Sequence, residues 1–534
     1  MFAQAPACSW AHSAVGTDDD RGKCIAVDVS GNVYVTGYFS SGTIAFGTTS
    51  LTSSGYADIF IVKYDSSGNV LWARSAGSSG TDSPSGIATD HWGNVYVTGM
   101  QSGTAVYGSI TIPGNGFFIA KYDSTGNARW AQCLGNGKAN SYGIAVDAAA
   151  SVYVTGYFDF QQVVLGADTL TSAGGADCFL AKFDSSGNIA WSRSFGGTWT
   201  DLAQGIAVDT SCNVYLTGDY SSDTLVIGNT TLLGQGIGDI FIAKFDSSGN
   251  EIWAISAGGS DDDGGWSIAM DPWGNACVTG LFNSSHLHFG ASTLTNSSSS
   301  SDIFVVKFDP MGNAIWANSA SCLGFDYGRS IASDEAGNVF VTGDFSGPAL
   351  SFGPAVSVNG TGTPDFFVAK YDTAGNAVWA KSAGGYEWDR GYGVAADSAG
   401  NVYASGSYQS SSIVLDTHTL TNSGGACSGG GCGDFFIAKF GARIPTVTNY
   451  LTEEEGIDVF PNPSSTTLAI KSSLLKEYAA IGIYNMLGEK CDSANPVHFE
   501  DEVILDVSRL ANGLYFLRLA GKDKTMARKI VVQR

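Results

Sequence analysis

Six aspartates occupy one repeated position, five residues before an isoleucine or valine, and they are the most regular charged residues of the chain. They are Asp20, Asp82, Asp201, Asp263, Asp326 and Asp389. Carboxylates arranged in a ring concentrate cations, and Ca²⁺ favours several oxygen ligands. An aspartate that recurs in this way also caps a turn by accepting hydrogen bonds from local amides. The pattern therefore predicts turn capping, with a calcium site as the alternative.

Large aromatic residues lie close to the same repeated position. They are Trp199, Trp266, Trp388, Tyr142, Tyr327 and Tyr392. Sugars offer apolar C–H faces and hydroxyl groups, so exposed aromatic rings beside carboxylates make a candidate glycan-binding surface. Packing inside the fold is the alternative interpretation for half of these residues.

Motifs of catalysis are missing from the sequence. We find no GxSxG, HExxH or P-loop motif in a supporting context, and no Cys/His spacing of a zinc site. Carboxylate pairs of the kind that glycosidases use remain possible among the 50 acidic residues. Cys427 and Cys432 are close enough in sequence for a local disulfide. We therefore predict a non-enzymatic binding protein without a resident cofactor, and the alternative is a polysaccharide-degrading enzyme.

Composition narrows the class of protein and of partner. Of 534 residues, 70 are Gly and 12% are aromatic, which indicates many tight turns between large apolar side chains and therefore an all-β fold. A net charge of −23 disfavours binding to nucleic acid or to an anionic membrane, because both would be repelled. No run of 18 apolar residues predicts a transmembrane helix.

Internal repeats decide the architecture. Seven tryptophans recur at intervals of 58 to 63 residues, namely Trp10, Trp72, Trp130, Trp191, Trp253, Trp316 and Trp379. Around each, segments such as Asn94-Val-Tyr-Val-Thr-Gly99 and Phe117-Phe-Ile-Ala-Lys-Tyr-Asp123 alternate with Asp-x-x-Gly-Asn turns. Each repeat thus predicts four short antiparallel strands. Seven such units predict a seven-bladed β-propeller over residues 1–440.

The two ends of the repeat region complement each other. The first copy begins at its Trp10 strand, whereas the last copy lacks a Trp strand of its own. We therefore expect the N-terminal strand to complete the last blade, which removes an open sheet edge. A lysine in every copy (Lys63 in the first) predicts a structural pairing with the aspartate that opens its strand.

The repeats resemble those of the secreted bacterial β-propeller repeat family, SBBP. Family units read like GIAVDxxGNVYVTG followed by DxFxAKYDxxGNxxW, and this order recurs over about residues 7–440. The resemblance implies a secreted propeller and brings no catalytic residues with it. The start of the chain, MFAQAPACSW, has no complete signal peptide, although Phe2–Ala5 fits the end of one.

The C-terminal residues follow a different pattern. Residues 441–456 indicate a linker, and alternating segments in 457–534 predict a small β-sandwich. Its VFPNP, IYNMLGE, ANGLYFLRL and KIVVQ segments resemble, in order, the type A C-terminal sorting domain of the Bacteroidetes type IX secretion system. That resemblance implies export through the type IX machinery to the cell surface or the medium. Together these observations predict an extracellular propeller that binds a glycan or protein ligand.

Overall fold

A computed structural model describes most of the chain, which divides into two units, residues 1–442 and 443–534. The described residues are 5–441 without 15, 160–161, 297–299, 424–425 and 428–429, and, in the second unit, 458–460, 466–471, 475, 478–484, 496–499, 502–508, 510, 513–521 and 525–532. The predicted linker lies outside these residues, apart from Gly441.

The first unit repeats an antiparallel four-stranded sheet, which we call a blade. The two middle strands of a blade are buried almost throughout, as in Val33–Phe39 and Asp58–Tyr64. Their side chains are apolar on both faces because each blade packs between two others. The predicted all-β propeller is confirmed.

The strands of the blades occupy four positions, from the centre outwards. The inner strands are Asp20–Val27, Ser83–Thr89, Ala139–Val146, Asp201–Val208, Asp263–Met270, Asp326–Ser333 and Asp389–Ala396. The second strands are Val33–Phe39, Val95–Ser102, Val152–Phe158, Val214–Tyr220, Ala276–Phe282, Val339–Phe345 and Val402–Tyr408. The third strands are Asp58–Tyr64, Asn115–Tyr122, Asp177–Phe183, Asp239–Phe245, Asp302–Phe308, Asp365–Tyr371 and Asp434–Phe440. The outer strands are Val70–Gly77, Ala128–Leu134, Ile189–Phe195, Glu251–Ala257, Ala314–Ala320, Ala377–Ala383 and Cys8–Ser13.

A short hairpin joins the second and third strands of each blade, and the repeats did not predict it. The hairpins are Thr43–Phe46 with Thr49–Thr52, Ala105–Tyr107 with Ile110–Ile112, Gln162–Leu165 with Asp168–Thr171, Thr224–Ile227 with Thr230–Leu233, His286–Phe289 with Ser292–Thr295, Ala349–Ser351 with Ser357–Asn359, and Ser412–Leu415 with His418–Thr421. Smaller elements are a 3₁₀ turn at Gly135–Gly137 and the paired segments Ala426–Cys427 and Gly430–Gly431. Cys432 is disulfide-bonded, and the side chain of Cys427 lies outside the described residues.

The Asp-x-x-Gly-Asn segments form tight turns through their aspartates. Asp28 Oδ1 accepts hydrogen bonds from the backbone N–H groups of Ser30 and Asn32, both at 2.9 Å. Asp28 Oδ2 accepts one from the Tyr34 hydroxyl at 2.9 Å. Gly31 takes the left-handed conformation with φ of 77°. The aspartate side chain and the left-handed glycine together form the turn that the sequence predicts.

Six of the repeated tryptophans bond their blade to the next one. Trp72 Nε1 donates a hydrogen bond to the Ser124 carbonyl in the following blade at 3.1 Å. The indole also lies against Gly126, where an added Cβ would approach it to 2.8 Å, so only glycine fits there. Equivalent bonds join Trp10 to Ser66, Trp130 to Ser185, Trp191 to Ser247, Trp253 to Pro310 and Trp316 to Thr373.

The N-terminal strand completes the sheet of the last repeat. Cys8–Ser13 pairs antiparallel with Asp434–Phe440, with Trp10 opposite Lys439. A hydrophobic cluster that includes Trp10 also joins Phe435 of this last blade to Phe60 of the first. The inner strand of the last blade packs against that of the first, so the ring of inner strands is closed.

The repeated lysines have a partner other than the predicted one. Lys63 Nζ lies 3.7 Å from Asp28 Oδ2, in the turn between the inner and second strands, and 4.8 Å from the centroid of the Tyr34 ring. The predicted partner, Asp58, instead accepts a hydrogen bond from the Ser54 N–H. The prediction was wrong because Asp58 and Lys63 lie near opposite ends of the third strand. The lysine end is beside the turn that contains Asp28.

The C-terminal unit consists of two sheets around one core. One sheet contains Asp458–Phe460, Thr467–Lys471, Glu502–Asp506 and Pro496–Phe499, and the other contains Tyr478–Tyr484, Gly513–Gly521 and Thr525–Val532. Leu468, Ile483 and Leu517 are fully buried in the shared core. This arrangement is the predicted β-sandwich. Across the described residues of both units, no helix has the length and hydropathy to cross a membrane.

Candidate binding site at the centre of the propeller

The six predicted aspartates are fully buried, and each is bonded within its own blade. Asp263 Oδ1 accepts hydrogen bonds from the N–H groups of Asn283 and Ser284, at 3.0 and 3.1 Å. Its Oδ2 accepts bonds from the Ser284 hydroxyl at 2.7 Å and the Gly259 N–H at 3.0 Å. The carboxylates of Asp82, Asp201 and Asp389 likewise hold the loop that leads into an inner strand against the end of the second strand. Among the described residues, the carboxylate of Asp20 bonds only to residues that follow the second strand, and that of Asp326 only to Cys322 in the loop.

These contacts favour the capping role over the cation role. The six carboxylates lie in separate blades, namely at Asp20, Asp82, Asp201, Asp263, Asp326 and Asp389. Within the described part of the chain, no group of three or more His, Cys, Asp or Glu side chains is placed to hold a metal ion. Burial raises the pKa of Asp20 and of Asp326 to about 7, which reduces their negative charge near neutral pH.

Every inner strand contains one β-bulge at the same place. In the first blade Gly22 pairs with Gly37 and Cys24 pairs with Thr36, so Lys23 has no residue opposite it. A bulge leaves one residue outside the ladder and changes the direction of its side chain. The equivalent residues, which we call the bulge residues, are Lys23, Ser85, Tyr142, Gln204, Trp266, Arg329 and Tyr392.

The bulge residues line a central cavity of about 390 Å³. All seven inner strands contribute to its wall, through the bulge residue and the small residue that follows it, which is glycine, serine or, at Cys24, cysteine. In five blades the next residue, an isoleucine, also lines the cavity. The glycine, serine and isoleucine positions vary little between blades, whereas the bulge residue is aromatic, cationic or polar. The chemistry of the cavity is therefore set by this one position of the repeat.

Four consecutive bulge residues alternate between aromatic and cationic side chains. In order around the ring they are Trp266, Arg329, Tyr392 and Lys23, and we call them the cationic arc. The Arg329 guanidinium lies 5.4 Å from the ring centroids of both Trp266 and Tyr392. Lys23 Nζ lies 4.4 Å from the Tyr392 centroid. These distances are within the range of attractive cation–π contacts.

The charges of the arc are only partly neutralised. Arg329 forms an ion pair with Asp344. Lys23 Nζ, in contrast, has neither an ion pair nor a hydrogen bond to any residue that the structure describes. Burial lowers the pKa of Lys23, although the nearby Tyr392 raises it in part. Burial alone would raise the pKa of Tyr392, but the adjacent Lys23, Arg21 and Arg329 lower it overall.

The remaining bulge residues form an uncharged half of the ring. The Ser85 hydroxyl donates a hydrogen bond to the Ser141 carbonyl at 2.7 Å. The Tyr142 ring lies with its centroid 5.4 Å from that of Tyr157. Gln204 donates a hydrogen bond to Asp219, whose pKa burial raises to about 7. The cavity is therefore asymmetric, with cations on one side and neutral hydrogen-bonding groups on the other.

The six predicted aromatic residues separate into two groups. Tyr142, Trp266 and Tyr392 line the cavity, and Tyr327 stacks on Trp266 with centroids 5.6 Å apart. Trp199 and Trp388 are instead exposed, by 61% and 49%, in loops that lead into inner strands. We call the end of the propeller formed by these loops the loop face.

Further apolar side chains are exposed on the loop face. Tyr386 and Phe325 are exposed by 88% and 55% in the same kind of loop. The Arg390 guanidinium lies 4.3 Å from the centroid of the Trp388 ring. This face therefore offers flat apolar surfaces, one of them with a cationic group beside it.

Sequence reasoning missed four residues of the cavity, Lys23, Ser85, Gln204 and Arg329. Their position in the repeat could have identified them, because each lies two residues before a repeated isoleucine. That position holds six different residue types in seven copies, while its neighbours stay similar. Strand alternation alone does not identify it, since a bulge shifts the register by one residue.

Comparisons with protein families confirm both resemblances. Residues 458–533 match the family described as a secretion system C-terminal sorting domain, and residues 71–100 match the family described as a beta-propeller repeat. The chain is thus a β-propeller protein with a type IX sorting domain, and that domain indicates export to the cell surface or the medium. Neither of these two families is a catalytic one.

Two curated relatives share part of the sequence. An uncharacterized WD repeat-containing protein of Acanthamoeba polyphaga mimivirus is 26% identical over 511 residues, covering 76% of this chain and 36% of the relative. The regulatory protein FlaEY of Caulobacter vibrioides is 28% identical over 208 residues, covering 36% of this chain and 22% of the relative. The chain therefore spans about a third or less of the length of these relatives.

Solved structures show only distant likeness. Sqt1 from Chaetomium thermophilum is 10% identical with a TM-score of 0.38, covering 86% of this chain and 95% of Sqt1. A polysaccharide lyase, an ulvan lyase, is 10% identical with a TM-score of 0.29, covering 96% of this chain and 97% of the lyase. Likeness at this level assigns no function to the chain.

Proposed function

We propose that this protein is an extracellular binding protein that holds a glycan in the central cavity and on the loop face of its propeller. The observation that carries the proposal is the ring of seven bulge residues, which differ from blade to blade and line one cavity of about 390 Å³. Small-molecule sites commonly measure roughly 300–1,000 Å³ and combine apolar walls with a few polar groups.

The side chains present suit the surface of a sugar. Tyr142 and Trp266 offer rings on which the C–H face of a pyranose packs, and Gln204 offers an amide for its hydroxyl groups. Exposed Trp199 and Trp388 extend this surface along the loop face for further sugars of a chain. Export by the sorting domain would bring the propeller to where free polysaccharides occur.

Binding and degradation are distinguished by following both ligand and product. Full-length protein should bind one or more soluble polysaccharides saturably in calorimetry, and chromatography of the same mixtures should show no shorter chains. Released products would overturn the binding role in favour of the alternative, a polysaccharide-degrading enzyme. Absence of binding across a broad polysaccharide panel would contradict the proposal itself.

Matched tryptophan and tyrosine variants locate the bound ligand. Trp199→Ala and Tyr142→Ala should each weaken binding about tenfold or more, because stacked aromatic rings lose their contact with the sugar. Trp92 is the control, since it is exposed by 57% in a turn at the other end of the blade. Equal affinity of the Trp92→Ala and Tyr142→Ala variants would place the ligand elsewhere.

A further inference from the structure

We infer that the glycan is acidic, and that the cationic arc of Trp266, Arg329, Tyr392 and Lys23 receives its carboxylate or sulfate group. This inference rests on the proposed function and names the substrate class of the same site. It is carried by the placement of positive charge in a molecule that is otherwise strongly negative.

Positive charge is concentrated at the cavity against the overall balance. The chain carries 27 basic and 50 acidic residues, for a net charge of −23. Even so, the cavity wall contains Lys23 and Arg329 and no carboxylate among its lining residues. An acidic protein repels anions on average, so local cations are needed wherever an anion is to bind.

Carboxylates near the arc pair with arginines and not with the lysine. Asp344 pairs with Arg329 and also lies 3.6 Å from Arg390 Nε. Asp19 pairs with Arg21 at 2.9 Å. Among the described residues, Lys23 has no such partner and rests on the Tyr392 ring. A half-buried ammonium without an anion is costly, and a bound anion would supply the missing partner.

The alternation of the arc fits a sugar that carries an anion. An aromatic side chain stands beside each cation, with Arg329 5.4 Å from Trp266 and Lys23 4.4 Å from Tyr392. A sugar ring packed on the indole or phenol would therefore have its charged substituent next to a cation. Arg329 has five N–H donors, so its pairing with Asp344 leaves donors for a ligand.

The test compares acidic oligosaccharides with their uncharged counterparts on the full-length protein. The panel consists of oligogalacturonate, oligomannuronate and chondroitin sulfate oligomers. The uncharged counterpart of each uronate is its methyl ester, and that of chondroitin sulfate is the desulfated and methyl-esterified form. We expect at least one acidic member to bind about tenfold or more tightly than its counterpart. Its affinity should fall as NaCl rises from about 0.05 to about 0.5 M, since salt screens the charge interaction.

Charge variants assign the effect to the arc. Lys23→Met keeps the aliphatic stem and should remove most of the preference for the acidic form, whereas Lys23→Arg should restore it. Arg129→Met is the matched control. It also removes one positive charge, but from an exposed site on an outer strand, away from the cavity. Thermal melting of each variant shows that it is folded before binding is measured.

The outcomes separate the inference from the proposed function. Equal binding of acidic and neutral forms would overturn the acidic-glycan inference and leave glycan binding in place. Binding of no saccharide at all would overturn both. An acidic preference that survives in Lys23→Met but is lost in Arg129→Met would place the anion outside the arc and overturn this assignment.

Discussion

At two turns of the propeller, a residue with a side chain stands where the other copies have glycine. Ala150 and Cys212 take the left-handed conformation, with φ of 60° and 62°. Each still forms the turn, since the Ala150 N–H donates to the Asp147 carbonyl at 2.9 Å. An L-residue in this region costs about 1–2 kcal/mol, so these turns are locally strained.

Replacing the strained alanine should therefore stabilise the propeller. We expect Ala150→Gly to raise the free energy of unfolding by about 0.5–1 kcal/mol, after allowing for the greater freedom of glycine in the unfolded chain. The neighbouring Ala149→Gly is the control, because Ala149 is not left-handed and its replacement should destabilise. Thermal melting of the two variants measures both effects, and a lower melting temperature for Ala150→Gly would refute the strain.

Buried aspartates give the propeller a pH dependence with a definite sign. Burial raises the pKa of Asp20 to about 7 and that of Asp389 to about 6. A carboxyl whose folded pKa exceeds its unfolded value stabilises the fold when protonated. That contribution is complete below about pH 4 and is lost as the pH rises through 6 and 7. Turn aspartates act oppositely, since local hydrogen bonds outweigh burial and lower the pKa of Asp123 to about 2.

We accordingly expect the melting temperature to fall between about pH 5 and pH 8, with a separate loss of stability below about pH 4. Asp20→Asn removes one of the titrating groups and should reduce the accompanying loss in free energy of unfolding by about 1 kcal/mol or more. Asp123→Asn should leave the dependence of melting temperature on pH unchanged above pH 5 and should alter only the loss of stability below about pH 4. Identical slopes for wild type and Asp20→Asn would show that Asp20 stays ionised throughout.

Among the elements, the N-terminal strand has the largest consequence for stability. Trp10 is buried, bonds to the Ser66 carbonyl at 3.2 Å, and packs in a cluster with residues of the first and last blades. Trp10→Ala should cost about 3–5 kcal/mol, as truncation of a buried tryptophan usually does. Deleting residues 1–13 should in addition expose a sheet edge and promote aggregation.

Thermal melting and light scattering measure these two changes. Trp92→Ala serves as the control, because Trp92 is exposed in a turn and its loss should shift melting little. Wild-type melting of the truncated chain would show that the strand contributes nothing to closure.

Sequence reasoning predicted the elements whose residue pattern is visible within one segment. It missed the elements that form through pairing with another strand. Alternation and Asp-x-x-Gly-Asn turns predicted the four strands of each blade. The hairpins escaped because they are three to four residues per strand and rich in Ser and Thr, although Ile44 and Leu51 of the first one are buried. The bulge at Lys23 depends on register against the second strand, which no single segment encodes.

The sequence identified some residues of the candidate site but not how they are arranged. The repeated aspartates and the three cavity aromatics were found by type and position. Only the structure shows which of them cap loops and which line the cavity. The caps are recognised by buried hydrogen bonds such as those of Asp263, and the lining by the closed ring of inner strands. Which cations and aromatic rings become neighbours follows from the order of blades, so Lys23 and Tyr392 meet although 369 positions separate them in sequence.

At the scale of the whole molecule, the propeller and the sorting domain are separate units. Deleting residues 457–534 should leave the propeller in the periplasm of the producing cell and should leave its melting temperature nearly unchanged. Cell fractionation with immunoblotting checks the location, and melting of the purified protein checks the fold. Unchanged delivery to the surface would refute the sorting role of the C-terminal unit.

The β-bulges separate the residues that pair within a blade from the residues that give the cavity its chemistry. A bulge residue has no partner across its strand, so its identity is free of the pairing that holds the blade together. Substitution at the seven bulge positions would therefore change the cavity wall without changing the strand pairing of the blades. Under the proposed function, exchanging these residues is a direct route to engineered specificity.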